Sequence, residues 1–143
     1  MLRIRRPSLS DLPGIMRVER ASFPDPWPGL AFVWYLFSGD SLFLVAEEDG
    51  EIRGFAIAVM EGEALHLHDI AVLPASRQRG IGRKLMEALM QKGREKKAKK
   101  VVLETRVENL VAQAFFRRFG FKETGVIPNY YEPGDAILME LEL

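Results

Sequence analysis

The residues from Asp69 to Lys84 read Asp69-Ile70-Ala71-Val72-Leu73-Pro74, then Arg77-Gln78-Arg79-Gly80-Ile81-Gly82-Arg83-Lys84. A β-forming run that feeds a glycine-bearing turn and opens a helix aims several backbone N–H groups at one point. The partial positive charge of the helix start lies behind them, so a phosphate or pyrophosphate is well placed there. Gly80 and Gly82 put no Cβ in a ligand's path, and Arg77, Arg79, Arg83 and Lys84 add long-range attraction. The dinucleotide pattern G-x-G-x-x-G is absent, and no G-K-[ST] follows as in a nucleotide triphosphate loop. By itself the turn reads equally well as a structural loop. A second group is Glu104 with His66 and His68. Glu104 alternates with Val101 and Leu103, which face the other way, so it can act as a proton acceptor or pair with Arg106 on its own face. Strand alternation places His66 and His68 on one face with Ile70 and Val72. Two histidines at i and i+2 can ligate a metal, but with no acidic or thiol partner at a sensible spacing no metal site is expected. His66 is either an assistant to Glu104 or a satisfied strand histidine. The third group is aromatic: Phe23 and Trp27 in one loop and Tyr130 and Tyr131 in another, which can wall a substrate groove or simply pack. Glu19, near the end of the first helix, can face an ammonium group but reads more simply as a solvated position.

The composition bounds what these groups can serve. The chain has 143 residues, 48% hydrophobic and 28% charged, which suits one domain over residues 1–143 with a substantial core. Cysteine is absent, which excludes disulfides, thiol nucleophiles and cysteine-bound zinc. Twenty basic residues balance twenty acidic ones, yet Arg77–Lys100 alone holds ten basic and two acidic residues. The basic stretch Lys92–Lys100 complements the end of a helix, so no nucleic-acid partner is needed to explain it. The longest apolar run, Leu30–Phe37, is eight residues, too short to span a membrane. The N-terminus carries charge throughout and lacks an apolar leader core, so a cytoplasmic location is expected. Only five Asn and Gln residues occur, a pattern that fits avoidance of heat-labile side chains in a thermophile.

The elements that must position these groups follow from periodicity. Leu2–Arg5 alternates as a strand, and Ser10-Asp11 offers a cap to a helix carrying Leu12, Ile15, Met16, Glu19 and Phe23 at helical spacing. Three prolines between Pro24 and Pro28 force an extended loop before a short helix over Leu30–Phe37. Strands over Ser41–Glu47 and Ile52–Met60 flank Asp49-Gly50, a strong hairpin signal. A strand over Ala64–Leu73 leads to the glycine turn and a helix with Leu85, Met86, Leu89 and Met90 on one face. Val101–Thr105 reads as a strand and Asn109–Phe119 as a helix stopped by Gly120. Phe121–Ile127 and Ala136–Leu143 read as a final strand pair around a loop holding Tyr130 and Tyr131. The order β-α-α-β-β-β-α-β-α-β-β implies an α/β (α+β) fold, a mixed sheet with helices on both faces.

The segment from Asp69 to Leu85 resembles the acyl-CoA motif of the GNAT superfamily of N-acetyltransferases. Leu103-Glu104-Thr105-Arg106, with Asn109, Ala114, Phe116 and Phe119-Gly120-Phe121, resembles that superfamily's second conserved block. Ser22-Phe23-Pro24-Asp25-Pro26-Trp27 and Asn129-Tyr130-Tyr131-Glu132 are similar to the RimI-type ribosomal-protein alanine N-acetyltransferases and related archaeal N-terminal acetyltransferases. The resemblance runs in order along essentially the whole chain. It implies the GNAT acyl-CoA N-acyltransferase fold, acetyl-CoA as co-substrate, no metal, and a protein or peptide N-terminus, such as that of a ribosomal protein, as acceptor. It implies that Ile70, Ala71 and Val72 pair with the pantetheine arm and that residues Gln78, Arg79, Gly80, Ile81, Gly82 and Arg83 hold the pyrophosphate, with Arg77 beside them. Asn109 and Phe116 would lie near the CoA arm, Glu104 would be the base with His66 assisting through water, and the two aromatic loops would flank the acceptor. One position departs from the pattern: Phe116 stands where such enzymes carry a tyrosine that protonates the leaving thiolate. Two other readings remain at this stage, a GNAT enzyme acting on a small amine or a lysine side chain, and a CoA-binding regulatory module without catalysis.

Overall fold

The computed structural model describes residues 1–143. Its elements run β1 (Arg3–Arg5), a 3-10 turn (Leu9–Asp11), α1 (Leu12–Ser22), α2 (Gly29–Phe37), β2 (Ser41–Glu48), β3 (Glu51–Glu61) and β4 (Ala64–Val72). A second 3-10 turn (Pro74–Ser76) precedes α3 (Ile81–Glu95), β5 (Lys100–Arg106), α4 (Leu110–Arg118), β6 (Lys122–Tyr131) and β7 (Gly134–Glu142). The seven strands form one mixed sheet in the order β1-β2-β3-β4-β5-β7-β6. No helix is long and apolar enough to cross a membrane.

Period-two burial explains why the central strands hold two layers of helix. In β2, Leu42, Leu44 and Ala46 join a core beneath α3 and α4, while Phe43 and Val45 join a second core beneath α1 and α2. Asp49 and Gly50 both adopt positive φ, 54° and 77°, the paired left-handed turn whose twist matches its flanking strands. Asp11 stands at the start of α1, but its carboxylate accepts two hydrogen bonds from Arg5, at 2.8 and 2.9 Å, and one from the Ser8 N–H. Its acidity rises accordingly, with a pKa lowered to about 2, chiefly by the Arg5 hydrogen bonds. β6 continues through Tyr130 and Tyr131, so these residues sit on a strand end rather than in a loop, and the turn is the short Glu132-Pro133 link.

Two irregularities shape the site. In the β3–β4 pairing, Ala58 faces Leu67 and Ile57 faces Asp69, so His68 is an extra, bulged residue. Before the bulge, Leu65 and Leu67 point to the α3 side; after it, Ile70 and Val72 do, while Ala71 joins the core beneath α1. The expectation that His66 and His68 share a face with Ile70 and Val72 is therefore corrected: simple alternation does not survive an inserted residue. The second irregularity is the β4–β5 pair, the sheet's parallel junction. It is in register only at Ala64–Lys100, Leu65–Val101 and His66–Val102, after which the strands separate.

Gly54 sits on β3 against the Ala71–Val72 end of β4. A Cβ there would lie 2.8 Å from the Ala71 carbonyl oxygen and 3.2 Å from Val72 Cγ2. Backbone cannot yield as a side chain does, so Gly54→Ala is expected to destabilise the fold by about 1–3 kcal/mol. Urea denaturation followed by circular dichroism checks this; an unchanged midpoint would mean that β3 and β4 can spread.

Candidate active site

The separation of β4 and β5 leaves the β4 edge from Leu67 to Val72 without a ladder partner on the β5 side. An unpaired strand edge is a template for any ligand that offers alternating N–H and C=O groups. The edge leads directly to the glycine turn. Gln78 and Gly80 take positive φ, 64° and 80°, and a Cβ at Gly80 would meet only open space. The first hydrogen bond of α3 is Lys84 N–H to Gly80 O at 3.0 Å, so the N–H groups of Ile81, Gly82 and Arg83 lack helical partners. These features fit an amide-bearing arm that ends in a pyrophosphate. Arg77 donates from Nε to the Val72 carbonyl at 2.9 Å and Arg79 to Glu48 at 2.9 Å, so both brace the turn. Arg83 stays exposed beside Glu87.

From the neighbouring helix, Phe115 rather than Phe116 reaches this turn: a Cβ on Gly82 would sit 3.3 Å from the Phe115 ring. Phe116 is only 5% exposed and packs against Phe115 and Phe121 inside the core. Asn109 caps α4 by accepting the Ala112 N–H at 3.1 Å, which commits its side-chain oxygen. Gln113, unremarked in the sequence, is buried and donates to the carbonyls of Arg106 and Val107 at 3.0 and 2.8 Å, fixing the exit of β5.

On the other face of the opening stands Glu104, its side chain 12% exposed. Its two oxygens lie 2.9 Å from His66 Nε2, and the Tyr130 hydroxyl donates to Oε1 at 2.9 Å. The His66 contact is direct, with no room for a water between them. Arg106 does not pair with Glu104. It donates to the Pro133 carbonyl at 2.6 Å and lies over the Tyr131 ring, 4.2 Å from its centre. His66 turns its other nitrogen to Glu61 Oε2 at 3.0 Å, so both nitrogens face carboxylates, which only accept. Burial works against a charge on His66, but the bonds to Glu61 and Glu104 outweigh it and raise its pKa. Burial, then the bond to Glu104, pushes the Tyr130 phenol up to about 12. Trp27 stacks on Tyr35 at 5.6 Å, and Phe23 packs against the same α1–α2 core.

Glu19 departs from the expected solvated position, being 1% exposed. Its Oε2 accepts the Trp27 N–H at 2.9 Å, which ties down the proline-rich loop. Its Oε1 and Asp69 Oδ2 are buried without a conventional donor. The two carboxyl groups hydrogen bond to one another, which requires a proton, and burial followed by Glu19 holds Asp69 protonated well above the usual carboxylate range. The sequence did carry a signal for this, since Glu19 falls on the apolar stripe of α1 with Leu12, Ile15 and Met16.

A strand that parts from its neighbour beside a glycine turn and a helix start, with a histidine-bound glutamate across the gap, is the candidate active site. Residues 9–121 match the acetyltransferase (GNAT) family, and the chain belongs to it. It is an acetyl-CoA-dependent N-acetyltransferase. It is 36% identical over 155 residues to an N-alpha-acetyltransferase of Sulfurisphaera tokodaii, covering 99% of this chain and 93% of that one. The ribosomal-protein-S18-alanine N-acetyltransferase of Escherichia coli superposes with a TM-score of 0.90 at 29% identity, covering 99% and 94% of the two chains. Ard1 from Thermoplasma volcanium gives 0.94 at 26% identity, covering 99% and 97%.

The carboxyl pair makes a stability prediction with a definite sign. Above about pH 4 the unfolded chain ionises Asp69 while the folded chain keeps its proton, so folding takes up a proton and stability falls as pH rises. Asp69→Asn supplies an N–H donor to Glu19 without a proton. Its Tm relative to the parent should therefore climb from pH 5 to pH 8, by the equivalent of about 1.4 kcal/mol of stability per pH unit at most. Parallel curves for the two proteins would show that the pair is not protonated.

Proposed function

We propose that the chain, as one catalytic unit in the cytoplasm, transfers the acetyl group of acetyl-CoA to the free α-amine of a protein N-terminus. Ribosomal-protein N-termini are the leading acceptors. The observation that carries this reading is Glu104, held by His66 and Tyr130 at the mouth of the β4–β5 opening. The names of the relatives, N-alpha-acetyltransferase and ribosomal-protein-S18-alanine N-acetyltransferase, support the same acceptor class.

A protein α-amine has a pKa of about 7.7–8.0, so a useful fraction is neutral at physiological pH and a modest base suffices. Glu104 accepts the proton released as the amine nitrogen bonds to the acetyl carbon. His66 aims the carboxylate from behind, and Tyr130 fixes its other side. The β4 edge at Ile70, Ala71 and Val72 and the free N–H groups of α3 hold the cofactor. Trp27, Phe23, Tyr130 and Tyr131 flank the acceptor. A side-chain lysine is a poorer fit, since its pKa of about 10.4 leaves far less neutral amine.

The residue at the expected acid position, Phe116, has no hydroxyl and is buried. Tyr130 is the phenol nearest Glu104, but a pKa of about 12 makes it a weak acid. A leaving thiolate, whose thiol has a pKa of about 8.5, would have to take a proton uphill from it. The thiolate therefore departs as an anion, and Tyr130 orients Glu104.

CoA release on peptides beginning Ser, Ala, Met-Leu and Met-Glu tests this, with an Nα-blocked lysine peptide and spermidine as controls. Turnover is expected on free N-termini alone. Glu104→Gln should lower kcat by about 100-fold or more, while Tyr130→Phe should cost less and leave the pH profile's alkaline limb in place. Preference for the blocked peptide or spermidine would overturn the acceptor assignment, and an unimpaired Glu104→Gln would remove Glu104 as base.

A further inference from the structure

The hydrogen bonds behind Glu104 converge on a second point that acetyl transfer does not use. Glu61, at the end of β3, returns across the tight turn to β4 and places Oε2 3.0 Å from His66 Nδ1 and 3.2 Å from His68 Nε2. The three atoms lie within 4.8 Å of one another. Tetrahedral zinc with bonds near 2.0–2.2 Å needs neighbouring ligand atoms about 3.3 Å apart, and the carboxylate oxygen already sits close to that spacing from each ring nitrogen. Both imidazoles lie on the face of β4 opposite Leu65 and Leu67, where Glu61 meets them.

We propose that Glu61, His66 and His68 form an inhibitory binding site for a zinc-class divalent ion. Beyond the convergence, the outer hydrogen bonds support this. A metal-bound histidine ordinarily donates its other N–H to, or has it fixed by, an oxygen partner. Both histidines have one: His66 Nε2 meets Glu104 at 2.9 Å, and His68 Nδ1 meets the Tyr35 hydroxyl at 2.6 Å. The ring orientations are thus set in advance of any ion. Two imidazoles and one carboxylate leave a fourth position for water on the Glu61 side, which is half exposed. The ion takes the place of the protons that His66 Nδ1 and His68 Nε2 now direct at Glu61. The chain has two histidines and no cysteine, so no other site of comparable softness competes.

The inhibition rests on the reading of Glu104 as base. With an ion on Nδ1, His66 keeps its Nε2–H on Glu104, and exchange of the Nδ1 proton for a dication adds one positive charge behind that carboxylate. Glu104 becomes the outer partner of a metal-bound histidine and no longer accepts a proton from the amine. The ion therefore regulates the enzyme and plays no part in its chemistry.

Tag-free full-length protein titrated with Co2+ and followed by visible absorption tests the site, with Zn2+ added to displace the cobalt. One ion per chain with the intense bands of tetrahedral cobalt is expected, unchanged by bound acetyl-CoA. Tyr35→Phe, which loses only the outer partner, should weaken binding about tenfold. His68→Asn keeps a polar atom for Tyr35 but removes the ligand nitrogen, and should weaken binding further while leaving metal-free turnover at the parent level. Zinc should lower parent kcat by about 100-fold, reversibly with EDTA, and spare His68→Asn. Absence of stoichiometric binding, or binding undiminished in His68→Asn, overturns the site. Saturated binding with undiminished turnover overturns the inhibition. If no peptide is acetylated yet His68→Asn still abolishes cobalt binding, the metal site stands and the acceptor assignment fails.

Discussion

Strand β4 serves three neighbours with nine residues: the α3 core on one side, the α1 core on the other, and a ligand along its free edge. A regular strand cannot do this, because alternation would commit every odd residue to one face for its whole length. The inserted residue at His68 resolves the conflict. Upstream, Leu65 and Leu67 anchor β4 to α3, which frees His66 to meet Glu104. Downstream, Asp69 and Ala71 turn to α1 while Ile70 and Val72 go over to the α3 side. The same inserted residue adds local twist, in the stretch where β4 leaves β5 behind after His66–Val102. The exchange of faces that takes Ile70 and Val72 to α3 and Asp69 and Ala71 to α1 follows from that one register shift.

That arrangement also sorts charge. The net charge of zero conceals a basic segment from Arg77 to Lys100, at the glycine turn and α3. Across β4, Glu104 faces the opening, with Glu61 behind His66 and Glu19 and Asp69 buried. A polyphosphate is attracted to the first side and an ammonium group to the second. Keeping one proton on the Glu19–Asp69 pair prevents that second side from accumulating another buried charge, while leaving Glu19 Oε2 to hold the Trp27 N–H. The acceptor loop is thus tied to the central sheet by a carboxylate whose burial would otherwise be costly.

Local chemistry was readable where it depends on neighbours in sequence. The Asp49-Gly50 turn, the glycine turn before α3, the prolines that end α1, and Glu104 opposite Val101 and Leu103 follow from backbone preference and period. What depends on register was not. The bulge has no residue signature in Leu67-His68-Asp69, so the shared face assigned to His66, His68, Ile70 and Val72 failed. Glu61 lies five residues before His66, a spacing that means nothing until the β3–β4 turn folds it back. Tyr130 reaches Glu104 because β6 runs on past the expected boundary, and Phe115, not the Phe116 expected near the CoA arm, lies beside Gly82.

The β4–β5 junction carries a mechanical consequence. Strands β1 to β4 form one antiparallel unit and β5 to β7 another, and the two are laddered together through three residue pairs. Below that short ladder, α3 binds the halves through Leu85, Met86 and Leu89, whose core includes residues of β2, β4, β5 and β7. Above it the edges diverge without a ladder between them, a state that a sheet ordinarily avoids. Water satisfies such edges, but it does not hold two strands at a fixed spacing. A ligand whose amides bond to the β4 edge while its reactive end lies beside Glu104 does both, so binding energy at the edge is converted into position at the reacting atoms. The opening that makes the sheet incomplete is what places the base and the cofactor on facing walls of one gap.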